Sequence, residues 1–167
     1  MQPLDLKGTI APEASPDIPE PHAQSYVQFA PDGPFVDTTR FNATLVGASG
    51  AIISTTSDMN TFLRALVTGK LLKPAQLAEM QKTVDAKDLH SGARYGLGLI
   101  WRPLSCGGGY WSHMGEGAAG ATRDGVTPDG RHSAVVFMST ELILPEPHGQ
   151  QERLADELIE HALCARQ

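Results

Sequence analysis

The chemistry available to this sequence rests on its serine hydroxyls, its imidazoles and two thiols. A serine hydroxyl attacks a carbonyl only when an adjacent base takes its proton. Gly47-Ala48-Ser49-Gly50 has the outline of a hydrolase elbow, but it lacks the final glycine in register and precedes a helical stretch instead of following a strand. Ser49 is therefore not expected to be a nucleophile. The imidazoles are His22, His90, His113, His132, His148 and His161, and no two stand two or four apart with a third ligand. That spacing predicts scattered surface histidines and no metal site. Gly107 to Gly109 has no Lys-Ser or Lys-Thr after it and no strand-to-helix setting, so it is expected to be a turn and not a phosphate cradle. Cys106 and Cys164 fit no metal spacing, and counting alone leaves both one disulfide and two buried thiols open.

The elements that would position these groups follow from periodicity. Ser57 is the expected N-cap of a helix carrying Met59, Phe62, Leu63, Leu66 and Val67 at helical spacing, with Gly69 as its stop. Pro74 opens a second helix, whose apolar face holds Leu77 and Met80. From Tyr95 the period changes to two: Tyr95, Leu97, Leu99 and Trp101 fall on one strand face, and the glycine run turns the chain into Tyr110 to His113. A second hairpin is expected from Ala118 to Val126 and Arg131 to Thr140 about the turn Pro128-Asp129-Gly130. Its Ala134 to Met138 run reads as a strand buried on both faces. Gln151 to Arg166 closes the chain as a helix with a stripe of Leu154, Leu158, Ile159, Ala162 and Leu163.

Seven of the twelve prolines lie in the first 34 residues, where Ala11 to Pro34 has no period and predicts loop wrapped over a neighbour. The expected class is α+β: a helical portion, then an antiparallel sheet with a covering C-terminal helix. A single partial domain is expected, irregular and Pro-rich over 1–45, helical over 46–92, and strands with the last helix over 93–167.

With 167 residues the chain can remove roughly two-thirds of its unfolded surface from water. Its 41% hydrophobic and 19% charged content is that of a folded globular protein. A net charge of −6 leaves no basic stripe for phosphates, so neither nucleic acid nor an anionic membrane is an expected partner. No apolar run reaches the ~20 residues that span a bilayer, so no membrane insertion is expected. Met1 is not followed by a basic then apolar leader.

In order, Gln2-Pro3-Leu4, Gly50 to Asp58, Tyr95-Gly96-Leu97-Gly98-Leu99, His113-Met114-Gly115 and Gly120 form a series. That series resembles the C-terminal half of the class C β-lactamases and, more closely, the extracellular D-alanyl-D-alanine carboxypeptidases, a penicillin-binding-protein-like family. The resemblance implies a partial β-lactamase/transpeptidase-like fold, in which a helical lobe and an antiparallel sheet enclose a serine hydrolase site. It also implies a Cys106–Cys164 disulfide, against the alternative of two buried thiols, and no cofactor. The family is usually exported; a native start at Met1 would instead place this chain in the cytoplasm.

In that family a Ser-x-x-Lys motif supplies the nucleophile and a Tyr-x-Asn motif assists it. Here no serine has lysine three residues on, and Tyr26, Tyr95 and Tyr110 lack asparagine two residues on. No catalytic residue is therefore assigned. The third motif, Lys/His-Thr/Ser-Gly, reads His113-Met114-Gly115. His113 is either a group that polarises a ligand or an edge-strand histidine bonded to backbone. Met114 replaces the hydroxyl that would bind the substrate carboxylate, and a thioether donates no hydrogen bond. The amide of Glu116 would form half of the oxyanion hole. Ile100 falls where the carboxypeptidases carry a carboxylate-binding arginine, Arg102 is expected to point elsewhere, and Ala121 follows Gly120 where an aromatic residue is common.

Two readings follow. One is a truncated or repurposed relative, a pseudoenzyme that is not hydrolytic by itself and keeps a remnant cleft at His113, Met114, Gly115, Glu116 and Gly120 for a small peptide-like or acyl ligand. The other is the C-terminal portion of a working serine hydrolase, completed by an N-terminal segment. Under either, the strand Ala134 to Thr140 is an apolar edge expected to recruit a second copy or an N-terminal complementary fragment.

Overall fold

A computed structural model describes residues 3–12, 15–142 and 145–165. In chain order come β1 (Tyr26–Gln28), β2 (Phe35–Asp37), a 3-10 segment (Ala43–Ser49), α1 (Thr56–Val67), α2 (Pro74–Met80), β3 (Val84–Asp85), β4 (Arg94–Tyr95) and β5 (Ile100–Pro103). Then follow β6 (Gly109–Ser112), β7 (Met114–Gly117), β8 (Gly120–Val126), β9 (Ser133–Met138), β10 (Thr140–Leu142) and α3 (Pro145–Cys164). The class is α+β, as the order of patterns predicts.

The main sheet is antiparallel, ordered β3-β4-β5-β6-β8-β7, with β9 on the other edge of β8. β6 and β7 are two parts of one strand. Trp111 faces Val126 and Met114 faces Arg123, the same register, and only the two intervening pairs are missing.

Helices cover both faces. On one, α1 sets Leu63, Leu66 and Val67 against Trp111, Val126 and Val135; each such side chain contributes roughly 1.5–3 kcal/mol by leaving water. On the other, Ile159 and Leu163 of α3 pack on Leu104, Tyr110 and Val136. Adjacent residues Tyr110 and Trp111 serve opposite faces, as strand alternation requires.

Local signals account for most boundaries. α1 begins two residues earlier than Ser57 suggests: Thr55 is the N-cap, its Oγ1 accepting the Asp58 N–H at 3.1 Å. Asp58 is then free to accept from Gly8 N–H and Thr9 Oγ1, both at 2.8 Å, which ties the N-terminal segment to the helix start. Gly69 ends the helix at φ +74°, and Pro74 stands at the first position of α2. Gly107 and Gly108, both at positive φ, turn β5 into β6. Arg64 of α1 donates to the Gly130 carbonyl at 2.7 Å, docking the helix on the β8–β9 turn.

Four further expectations need correction. Tyr95 to Trp101 is not one strand: Gly98 at φ +75° folds β4 back onto β5, Gly96 N–H bonds Leu99 O at 2.7 Å, and Leu97 is left exposed. β9 is half-buried along its length with Phe137 exposed, because its covering helices reach only part of an edge strand. On α3 the buried line is Ala155, Ile159 and Leu163, at steps of four, while Leu154 and Leu158 face outward at 58% and 54% exposure. Finally, the segment read as loop contains β1, a strand too short to show a period, held in parallel register by β10 (Tyr26 opposite Thr140).

The Cys106–Cys164 disulfide joins the β5–β6 turn to the last turn of α3. Two contacts tie the N-terminal part of the chain to the rest: Ile10 bridges Ile53, and Ser25 Oγ donates to Ala119 O at 2.7 Å beside the β7–β8 turn.

Candidate active-site wall

His113 stands in the gap between β6 and β7. Its backbone N–H has left the ladder and donates to Asp124 Oδ1 at 2.8 Å. Asp124 is buried on β8, and that burial pushes its carboxyl up to about 6, opposed by the hydrogen bond from His113 and by the charges of His113 and Arg123. A buried acceptor thus fixes the exposed residue above it.

The imidazole is held at both nitrogens. Nδ1 lies 2.7 Å from Met114 O, and since a carbonyl only accepts, Nδ1 carries the proton in the neutral ring. Nε2 is then the acceptor, with Tyr95 Oη at 3.4 Å. The hairpin bend at Gly96 to Gly98 brings Tyr95 there; a straight strand would not. The ring's one lone pair is thus directed at a phenol, at the head of an open strand.

β7 is that strand. Among the described residues it pairs only with β8, and His113, Gly115, Glu116 and Gly117 are exposed. A Cβ added at Gly115 or Gly117 would meet nothing within 4 Å, so an extended chain can approach this backbone. Gly120 has a different part: at φ +115° it makes the turn into β8, and a Cβ there would come within 2.5 Å of Met138 O. Ile100 is buried, and Arg102 points away from this face to α3, where Nη1 and Nη2 grip Asp156 at 2.7 and 2.6 Å.

The Glu116 carboxylate is engaged elsewhere. It bonds buried Arg123 at 2.6 Å, and Arg123 also pairs with Glu152 of α3. His148 adjoins both carboxylates and Glu141. Burial alone would raise the Glu116 carboxyl, but the hydrogen bond from Arg123 and the guanidinium's charge carry it below the ordinary value; Glu141, pushed up mainly by burial, is raised. Glu116, His148 and Glu152 are the one group among the described residues whose ligand atoms converge closely enough for a metal ion. Histidine pairs alone do not reveal it. The readable signal is His148 and Glu152, four apart on one helix face.

A shallow depression beside β7 is lined by Val27, Phe29, Glu116, Gly117, Ala118 and Glu141. A second, among Asp17, His22, Asp37 and Arg40, touches no residue of the motif series. Among the described residues no helix is long and apolar enough to cross a membrane.

A family model described as Beta-lactamase matches residues 1–158. A D-stereospecific amidohydrolase from Streptomyces sp. superposes with a TM-score of 0.79 at 35% identity, over 84% of this chain and 41% of its own. The D-amino acid amidase of Ochrobactrum anthropi SV3, in complex with L-phenylalanine amide, gives 0.74 at 24% identity, over 93% and 47%. A penicillin-binding protein from Bacillus halodurans gives 0.60 at 19%, over 85% and 43%. The two lower identities bear on the fold alone. This chain spans less than half the length of each of the three.

Proposed function

Because this chain belongs to the Beta-lactamase family, and corresponds to its C-terminal half, we propose that it is the substrate-facing wall of a serine amidohydrolase site, non-hydrolytic by itself. A complementary segment carrying Ser-x-x-Lys would supply the nucleophile. The observation that carries this reading is β7: an exposed His113, its Nε2 turned to the Tyr95 phenol, heads a strand edge open at Gly115 and Gly117. An extended amide or peptide lies along such an edge by backbone hydrogen bonds, and the Glu116 amide would donate to its carbonyl oxygen as negative charge develops there. The likeness to a D-stereospecific amidohydrolase supports amides of D configuration as the substrate class.

β9 pairs only with β8 among the described residues, and Leu154 and Leu158 are exposed on α3. Both support a companion segment or a second copy at this side of the sheet. The disulfide supports an oxidising compartment.

A second reading, a binding protein that has lost hydrolysis altogether, is favoured by Met114 in place of a hydroxyl and by buried Ile100 in place of an arginine. Labelling with a fluorescent penicillin or an active-site serine phosphonate separates the two. The isolated chain is expected to form no adduct, and co-expression with a Ser-x-x-Lys segment to restore one under the first reading only. A stoichiometric adduct on a serine of the isolated chain would overturn both.

A further inference from the structure

Glu116 on β7 and Glu152 on α3 each turn Oε1 toward Nη2 of buried Arg123. Their other oxygens converge on a different group: Oε2 of Glu116 lies 3.9 Å, and Oε2 of Glu152 3.5 Å, from His148 Nε2. Behind the ring, Nδ1 is 3.3 Å from Glu141 Oε1, and Glu141 Oε2 is buried with no hydrogen-bond partner. The guanidinium thus closes one side of the carboxylate pair and leaves a three-donor face on the other.

We propose that Glu116, His148 and Glu152 bind a divalent transition-metal ion of the zinc type, with Glu141 holding the imidazole from behind. Three features carry this. The first is spacing: ligands about 2.0–2.1 Å from a tetrahedral ion are roughly 3.3–3.4 Å apart, and the imidazole-to-carboxylate separations here exceed that by little, with all three ligand atoms within 4.8 Å of one another. The second is charge. Three carboxylates face one guanidinium, so with a neutral ring the half-buried cluster holds two negative charges in excess, which a divalent ion cancels. The third is donor type: one imidazole with carboxylates suits zinc better than calcium or magnesium, which prefer all-oxygen shells. A carboxylate on the far ring nitrogen is the usual support of a metal-bound histidine, and Glu141 stands there. The bound ion would tie β7 to the first turns of α3, behind the strand that carries His113, with water in the fourth position. This site does not depend on the proposed hydrolase reading.

The test uses the full oxidised chain, stripped with a chelator and titrated with zinc by calorimetry and with cobalt by visible absorption. One equivalent should bind, with cobalt giving tetrahedral-type bands and zinc raising the Tm. His148→Ala and Glu152→Gln should each weaken binding at least about tenfold, and Glu141→Gln by about 10–100-fold. Glu152→Gln keeps an oxygen to accept from Arg123, which separates ligand loss from misfolding, and His161→Ala should bind as wild type. Absence of stoichiometric binding, or binding undiminished by His148→Ala, would overturn the proposal and leave the cluster as ion pairs only.

Discussion

The backbone N–H of His113 is bonded to the Asp124 carboxylate at 2.8 Å, across the one gap in an otherwise continuous β6-β7 to β8 ladder. The break frees the imidazole to sit at the head of β7, and it places an ionisable group in the core beneath it.

That group makes stability depend on pH. The Asp124 carboxyl is raised from 3.8 to about 6 in the folded state, so the folded protein holds this proton more tightly than the unfolded chain. Raising the pH through this window therefore weakens the fold, by roughly 3 kcal/mol in all, and the contribution is fully present only below pH about 4. Asp124→Asn keeps an oxygen for the His113 N–H and removes the titration. Its stability relative to wild type should climb between pH 4 and 7 in urea unfolding; a flat difference would contradict the assignment.

Arg102 is buried by the sheet and held by both oxygens of Asp156, with the Tyr110 ring 5.8 Å away. Asp156→Ala leaves a guanidinium unpaired and should cost about 3 kcal/mol by chemical denaturation. Asp156→Asn, retaining one acceptor, should cost less. Because Arg102 faces α3, neither change should alter the His113 side of the sheet.

The disulfide closes a loop of 58 residues. Constraint of the unfolded chain by such a loop is worth about 4 kcal/mol. A double Cys106→Ala, Cys164→Ala variant should lose stability on that scale and free the end of α3, seen as faster amide exchange over the last turn.

At Gly120, φ is +115° and an added Cβ would meet Met138 O at 2.5 Å and the Phe137 ring at 2.8 Å. Gly120→Ala should destabilise by about 1–3 kcal/mol through backbone strain and displacement of β9. Gly115→Ala, whose added carbon meets open space, should be nearly neutral in stability. A similar cost at both would argue that β7 is covered.

Features that depend on neighbours a few residues apart can be read from the chain alone. The stop of α1 at Gly69, the proline start of α2, and the turns at Gly107-Gly108 and Pro128 to Gly130 are set by backbone dihedrals and local hydrogen bonds. These were legible, as was the α+β order, because such signals survive in any fold. The series ending at His113-Met114-Gly115 likewise pointed to the family, since order and spacing along a chain are properties of the chain. The remainder follows from long-range packing. Periodicity could not choose between the Leu154 and Ala155 faces of α3, because both repeat every four residues and only docking on the sheet separates them. Nor could it reveal β1 beside β10, Tyr95 beside His113, or Glu116 beside His148, since each partner is distant in sequence and its position depends on every turn between.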